Sequence, residues 1–164
     1  MIITGGTAAN SLTFNTNQNN QIVSGIAGLT IKNFEKFDFS GFAGTINFTG
    51  NANPEEVIGT ANNDTINSGA GNDILAGGSG DDSITGGAGN DTYFVDSLGD
   101  TISELNNEGI DTVESSVTWT LANHLENLRL SGIANINATG NDLSNFLRGN
   151  NRNNILDGGA GDDN

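Results

Sequence analysis

Five aspartates recur at a spacing of nine: Asp64, Asp73, Asp82, Asp91 and Asp100. Each is followed two places later by a large apolar residue: Ile66, Leu75, Ile84, Tyr93 and Ile102. From Gly59 the chain reads GTANNDTIN, SGAGNDILA, GGSGDDSIT, GGAGNDTYF and VDSLGDTIS. A nine-residue unit of this kind is a glycine turn of six residues and a strand of three, too short for helix. Two units make one coil of about eighteen residues, so alternate units stack. Asp64 then lies beside Asp82, Asp73 beside Asp91, and Asp82 beside Asp100. Paired carboxylates repel unless a positive charge sits with them. No lysine or arginine occurs between residues 37 and 128, so the chain itself cannot supply it.

A hard divalent cation can. Calcium takes six to eight oxygens in flexible geometry and accepts backbone carbonyls, whereas magnesium keeps its waters. Zinc and copper favour His or Cys ligands; the chain has one histidine, His124, and no cysteine. Glycines at places one, two and four of the unit let the backbone turn its carbonyls inward without a Cβ clash. The chemistry is that of calcium.

GGSGDDSIT and GGAGNDTYF match the pattern G-G-x-G-x-D-x-U-x, and the chain resembles the RTX (haemolysin-type) calcium-binding proteins. The resemblance is tight over 59–103 and looser over 140–164. It implies an all-β fold: a right-handed parallel β-roll or β-solenoid with calcium-binding turns, flanked by calcium-free solenoid or capping strands. It also implies ligand sets, in which one loop gives two carbonyls and its aspartate and the next loop on that side does the same. The first set is Thr60, Asn62, Asp64, Gly77, Ser79 and Asp82. The second is Gly69, Gly71, Asp73, Gly86, Ala88 and Asp91. The third is Gly78, Gly80, Asp82, Val95, Ser97 and Asp100. Thr60 and Asn62 stand where glycines belong, which predicts a strained loop or a weaker first site. The fifth unit keeps only Gly99 and Asp100, which weakens the third. Units 140–148 and 149–157 carry Asn145 and Asn154 in place of aspartate, and Asn145 with Asp163 is a further candidate pair.

The elements that must hold these loops show a second period of about 90 residues. FEKFDFSGFAGTINFTGNANPEEVIG (34–59) aligns with LENLRLSGIANINATGNDLSNFLRG (125–149). Short strands are predicted at 12–14, 22–23, 29–31, 37–39, 46–49, 112–121, 128–130 and 135–139; only 121–127 tolerates helix. The domains read as 1–58, a segment without calcium motifs; 59–103, the nonapeptide block; 104–148, a second segment like the first; and 149–164, the start of a second block. Phe34, Phe37, Phe39, Phe42 and Phe48, with Leu125, Leu128, Leu130, Ile133 and Trp119, are expected in the core. Glu104 and Asp111 read as a solvated turn, with a contribution to an ion beside Asp91 as the alternative. The chain reads as an excerpt from a longer array, with neighbouring repeats of a parent chain among its partners.

Composition narrows the function. The net charge is −15, from 20 acidic and 5 basic residues in 164. Neutralising phosphates requires Lys and Arg clusters, so nucleic acid is not an expected partner. No apolar run is long enough to predict membrane insertion. A hydrophobic share of 34% is low for a globular chain, so apolar burial falls short as a sole source of stability. No nucleophile elbow, zinc-binding helix or phosphate loop occurs, and no enzymatic activity is expected. The resemblance implies a secreted, extracellular bacterial protein exported by a type I route in low calcium and folded by calcium outside. An adhesin segment, or a module of an exported enzyme that recognises a polysaccharide or cell-surface ligand, is the alternative.

Overall fold

The computed structural model describes residues 35–164 in full and, before them, the backbone of 2–5, 11–15, 21–22 and 30–31. Among the described residues there are strands and turns and no helix. The strands before residue 35 are β1 (Ile2–Gly5), β2 (Ser11–Asn15), β3 (Gln21–Ile22) and β4 (Thr30–Ile31). Then come β5 (Lys36–Phe42), β6 (Thr45–Thr49), β7 (Glu56–Ile58), β8 (Thr65–Ala70), β9 (Ile74–Ala76), β10 (Ser83–Ala88) and β11 (Thr92–Val95). The rest are β12 (Thr101–Ile102), β13 (Thr112–Ser115), β14 (Trp119–Thr120), β15 (Asn127–Leu130), β16 (Ala138–Thr139), β17 (Phe146–Arg148) and β18 (Leu156–Asp157).

From β5 onward the strands alternate between two walls. One wall is a single sheet in the order β1-β5-β7-β9-β11-β13-β15-β17. The other is in two pieces, β12-β10-β8-β6-β2 and β14-β16-β18. Every pairing in these walls is parallel; only β3 and β4 pair antiparallel. The result is a β-solenoid of about 7 turns, consistent with the β-roll that the resemblance implies. The first wall runs without a break through the segment boundaries at 58 and 103.

The apolar residue at the eighth place of each unit explains the register. In-register pairing stacks Val57, Leu75, Tyr93, Val113 and Leu128 in one interior row. Phe48, Ile66, Ile84 and Ile102 form the facing row. All nine side chains are buried. Sliding the register by one residue would turn each row outward. At the end nearer the amino terminus the space is filled by aromatic rings: Phe37 and Phe48 meet edge to face at 4.9 Å, and Phe39 and Phe48 at 6.4 Å.

Four local expectations change. β8 and β10 run six residues, into what the pattern assigns to turn, because Gly69 and Ala70 continue the ladder with Gly87 and Ala88. Residues 121–127 form no helix: the chain turns there, with His124 at φ 68°. Ile133 is 82% exposed, because β15 ends at Leu130 and Gly132, at φ 70°, turns the chain outward. Trp119 packs against the core from a half-buried position. Phe34 lies outside the described residues.

The burial pattern sets a contrast between neighbours. Leu75→Ala should destabilise the calcium-loaded protein by about 2–5 kcal/mol, as large-to-small core changes do. Ile74→Ala, at a side chain 46% exposed, should cost about 0.5 kcal/mol or less. Urea unfolding in excess calcium reads both, and equal midpoints would contradict the inward and outward assignments.

Candidate metal centre

The nonapeptide turns place their aspartates in two ladders, one along each edge of the solenoid. On the first edge the Asp64 backbone N–H donates to Asp82 Oδ1 at 2.8 Å, and the Asp82 N–H to Asp100 Oδ1 at 3.0 Å. On the second, the Asp73 N–H donates to Asp91 Oδ1 at 2.8 Å, and the Asp91 N–H to Asp111 Oδ1 at 2.8 Å. The pairs predicted from the spacing are therefore neighbours in the fold, 18 residues apart. Each of these carboxylates is buried.

The turns approach closely enough to need glycine. Gly78 and Gly80 sit at φ 93° and 125°, and a Cβ on Gly78 would strike the Thr60 carbonyl oxygen. A Cβ on Gly80 would stand 2.8 Å from the Asn62 carbonyl carbon. Carbonyl-bearing backbone of one loop is thus packed onto the next, which is the surrounding the first ligand set requires.

The carboxylates differ in what satisfies them. Asp82 Oδ2 and Asp91 Oδ2 are buried with no hydrogen-bond partner, as is Asp73 Oδ2. Burial raises the Asp73 carboxyl against the lowering effect of the Glu55 N–H and the nearby Ser68 hydroxyl, and that hydroxyl donates to the Gly86 carbonyl at 3.0 Å. These three aspartates belong to the three units that keep glycine at places two and four. Asp64 is different: Oδ2 accepts the Thr60 N–H at 2.6 Å, and Oδ1 accepts the Ile46 N–H at 2.8 Å and the Thr60 hydroxyl at 3.1 Å. Thr60 is thus a donor to Asp64 as well as a carbonyl of the first set. Asp100 is likewise held by the N–H groups of Asp82, Ser97 and Asp96. The Val95 carbonyl of the third set already accepts the Ser116 N–H at 2.9 Å. The Ala88 carbonyl of the second accepts the Gly71 N–H at 2.8 Å.

Electrostatics follow from the same stacking. Burial, with the charges of Asp64, Asp100 and Asp96, pushes the Asp82 carboxyl up to about 7. Burial, with Asp73, Asp111 and Glu104, pushes Asp91 up to about 7. Burial also raises Asp64, Asp73 and Glu104, and lifts Asp111 to about 6. A buried carboxylate with an unpartnered oxygen and no cation near it is costly. The salt bridges among the described residues, Lys36–Glu56 and Arg129–Glu114, lie elsewhere. Calcium fits this donor set: two carboxylates from adjacent turns, surrounded by backbone carbonyls. Among the described residues no three acidic or histidine side chains gather at one point. Bound there, the ion would supply the missing positive charge.

A family model for the RTX calcium-binding nonapeptide repeat matches the chain in four copies, at residues 49–84, 58–93, 69–102 and 139–164. The chain carries RTX calcium-binding nonapeptide repeats. No curated protein and no solved structure matched it. Within the first matched turn a glutamate, nine places before Asp64, continues the ladder: Glu55 donates its N–H to Asp73 Oδ1. Beyond residue 102 the structure extends the ladder to residues that the nine-residue spacing does not reach, with the Asp111 N–H donating to Glu126 Oε2. Glu104 and Asp111 are buried, so the solvated-turn reading of both is overturned. Where the RTX aspartate is replaced, an amide closes the gap: Asn145 Nδ2 donates to the carbonyls of Leu125 and Glu126 at 3.1 and 3.2 Å. Asn154 Nδ2 donates to the Ile136 carbonyl in the same way. The Asn145 N–H reaches Asp163 Oδ1 at 2.9 Å, although Asp163 is exposed.

The raised carboxyl values give a pH dependence with a definite sign. In the metal-free fold Asp82 and Asp91 keep protons up to about pH 7, whereas unfolded aspartates lose them near pH 4. The metal-free fold is therefore most favoured below about pH 4 and loses that stability as pH rises to about 7. Calcium competes with the same protons, so its affinity should fall as pH drops below 7. Far-UV circular dichroism in chelator should show β signal growing on acidification from pH 8 to 4.5. A calcium titration at pH 5.5 should need more ion than one at pH 7.5. A pH-independent calcium midpoint would exclude the buried carboxylates as the ligands.

Proposed function

We propose that this protein is a calcium-dependent folding module of a secreted bacterial RTX protein, with a binding and structural role and no catalytic one. The observation that carries the reading is the unpartnered oxygen of Asp82, buried between two like-charged neighbours with no lysine or arginine ion-paired to it among the described residues. In low calcium the repulsion in the ladders opposes folding. Outside the cell, millimolar calcium neutralises it, and the free energy of ion binding becomes free energy of folding. Export through a type I route suits such a chain, because it leaves the cell unfolded and acquires its staples afterwards. The ions then stand in for the disulfides that a cysteine-free exported protein lacks.

A second reading, recognition of an acidic polysaccharide, is favoured by one observation. Arg129 and Arg148 are partners in register on the outer face of β15 and β17. With Ser131 and Asn150 they border a shallow depression in an otherwise strongly acidic protein. Two adjacent guanidinium groups suit the carboxylates of a polyuronate. Retention on an immobilised polyuronate in calcium, lost in the Arg129→Ala/Arg148→Ala double variant, would support this role; equal elution of both proteins would exclude it.

The primary reading is tested by circular dichroism with calcium and then with chelator. The β signal should appear with the ion and collapse without it; full β signal in chelator at pH 7.5 would overturn the proposal. Asp82, which stands in two gaps and has a free oxygen, should matter more than Asp64, whose oxygens the protein already satisfies. Asp82→Asn should raise the calcium midpoint at least tenfold, and Asp64→Asn only a few-fold.

A further inference from the structure

Beyond β12 the spacing of nine ends, and so does the run of family matches there, at residue 102. The stacking does not end. The loop from Glu104 to Asp111 continues the second edge, offset from the loop below it by 20 residues in place of 18. Its parts fall where a nonapeptide's would. The Ile110 N–H donates to Asn90 Oδ1 at 2.9 Å, as the Asn90 N–H donates to Asn72 Oδ1 at 2.8 Å. Gly109 rests on the Gly89 carbonyl as Gly89 rests on that of Gly71. Val113 stacks on Tyr93. These residues make a sixth turn, lengthened by two residues and hidden by that insertion.

What distinguishes this turn is Glu104. It is 6% exposed. Oε1 accepts the N–H groups of Gly86 and Gly87 at 3.0 and 3.3 Å, together with the Tyr93 hydroxyl. Oε2 is buried with no partner. Beside it, Asp91 Oδ2 is also unpartnered, and both Asp91 Oδ2 and the Tyr93 hydroxyl crowd Gly86, the glycine whose N–H Glu104 holds. Two buried carboxylates therefore each leave an oxygen free around one backbone position, and among the described residues no basic side chain pairs with either. A solvated turn would not bury Glu104, and a purely structural acceptor would not leave Oε2 without a donor.

We propose that the gap between the 86–91 and 104–111 loops is a further calcium site, outside the recognisable repeats. In it the side chain of Glu104 replaces ligands that a glycine turn would supply from its backbone. Asp91 and Glu104 give the free carboxylate oxygens, and the carbonyls of Gly87 and Gly89 are the backbone ligands on the same loop. Asp111 is a positioning residue, holding the Asp91 backbone through its Oδ1. This site rests on the calcium-dependent reading above but is not required by it.

The experiment counts ions. Glu104→Gln keeps an acceptor for Gly86, Gly87 and Tyr93 and removes the charge. Equilibrium dialysis in saturating calcium should show one ion fewer per chain than wild type, with the β signal of the loaded protein unchanged. An unchanged count overturns the proposal. Crystals of the wild-type chain grown with terbium settle the same point without a variant. An anomalous peak against Glu104 Oε2 supports the site, and peaks confined to the turns between 59 and 100 overturn it. A wild-type chain that binds no calcium at all would instead overturn the folding-module reading.

Discussion

Repulsion between stacked carboxylates is the constraint that the rest of this structure answers. A solenoid of near-identical turns sets each aspartate against its copy one coil away, as Asp64 against Asp82 and Asp73 against Asp91. Three answers coexist along one chain. Asp64 and Asp100 are held by backbone N–H groups and, for Asp64, by Thr60. Asn145 and Asn154 replace charge by an amide that donates to the carbonyls of the coil before. Asp73, Asp82 and Asp91 accept one backbone N–H each on Oδ1 and keep Oδ2 free. The glycine turns are found at these three, which is the combination calcium can use.

The thin interior makes that electrostatic problem decisive. Each nonapeptide contributes one fully inward apolar side chain, such as Leu75 or Ile84, to rows only one residue wide. Ordering glycine- and asparagine-rich turns costs more conformational entropy than so narrow a row offsets. A fold of this kind sits close to the balance point, where the sign of one interaction decides whether it forms. Occupied or empty gaps between aspartates are such an interaction.

The part of this legible in the sequence was the part with a constant period. Nine-residue spacing placed Asp64 to Asp100, the eighth-place row and the pairing across coils. Asp111 and Glu126 escaped because their coils depart from 18 residues, to 20 at Asp111 and 15 at Glu126. Glu55 and Glu104 keep the 18-residue offset and escaped because glutamate stands where the pattern has aspartate or glycine. A signal was present in Gly109-x-Asp111-x-Val113, the last half of a nonapeptide behind a two-residue insertion. Ile133 misled because its counterpart Phe42 remains within a seven-residue strand, whereas β15 stops at Leu130. Side-chain satisfaction was not legible at all. That Asp64 is fully bonded and Asp82 is not depends on which N–H groups the turn aims inward, and spacing does not encode that.

The order of solutions along the stack has a physical consequence of its own. Toward the amino terminus, Phe37, Phe39 and Phe48 fill the interior with rings. Toward the carboxyl terminus the ladder changes from Asp91 and Asp111 through Glu126 to Asn145, and Leu125, Leu128 and Leu130 occupy the core. Unpartnered carboxylate oxygens lie between these regions, at Asp73, Asp82, Asp91 and Glu104. The unneutralised carboxylate charge is thus concentrated in the middle coils, while the coils on either side have more apolar volume or neutral amides. In a solenoid each coil contacts only its neighbours, so stability is approximately a sum of coil and interface terms. The weakest interfaces without ion are those between residues 59 and 111, and they are also the ones that lie between coils held by other means. Register in the middle is therefore already fixed by strands on both sides, and calcium has only to neutralise a stack whose geometry the flanking coils define.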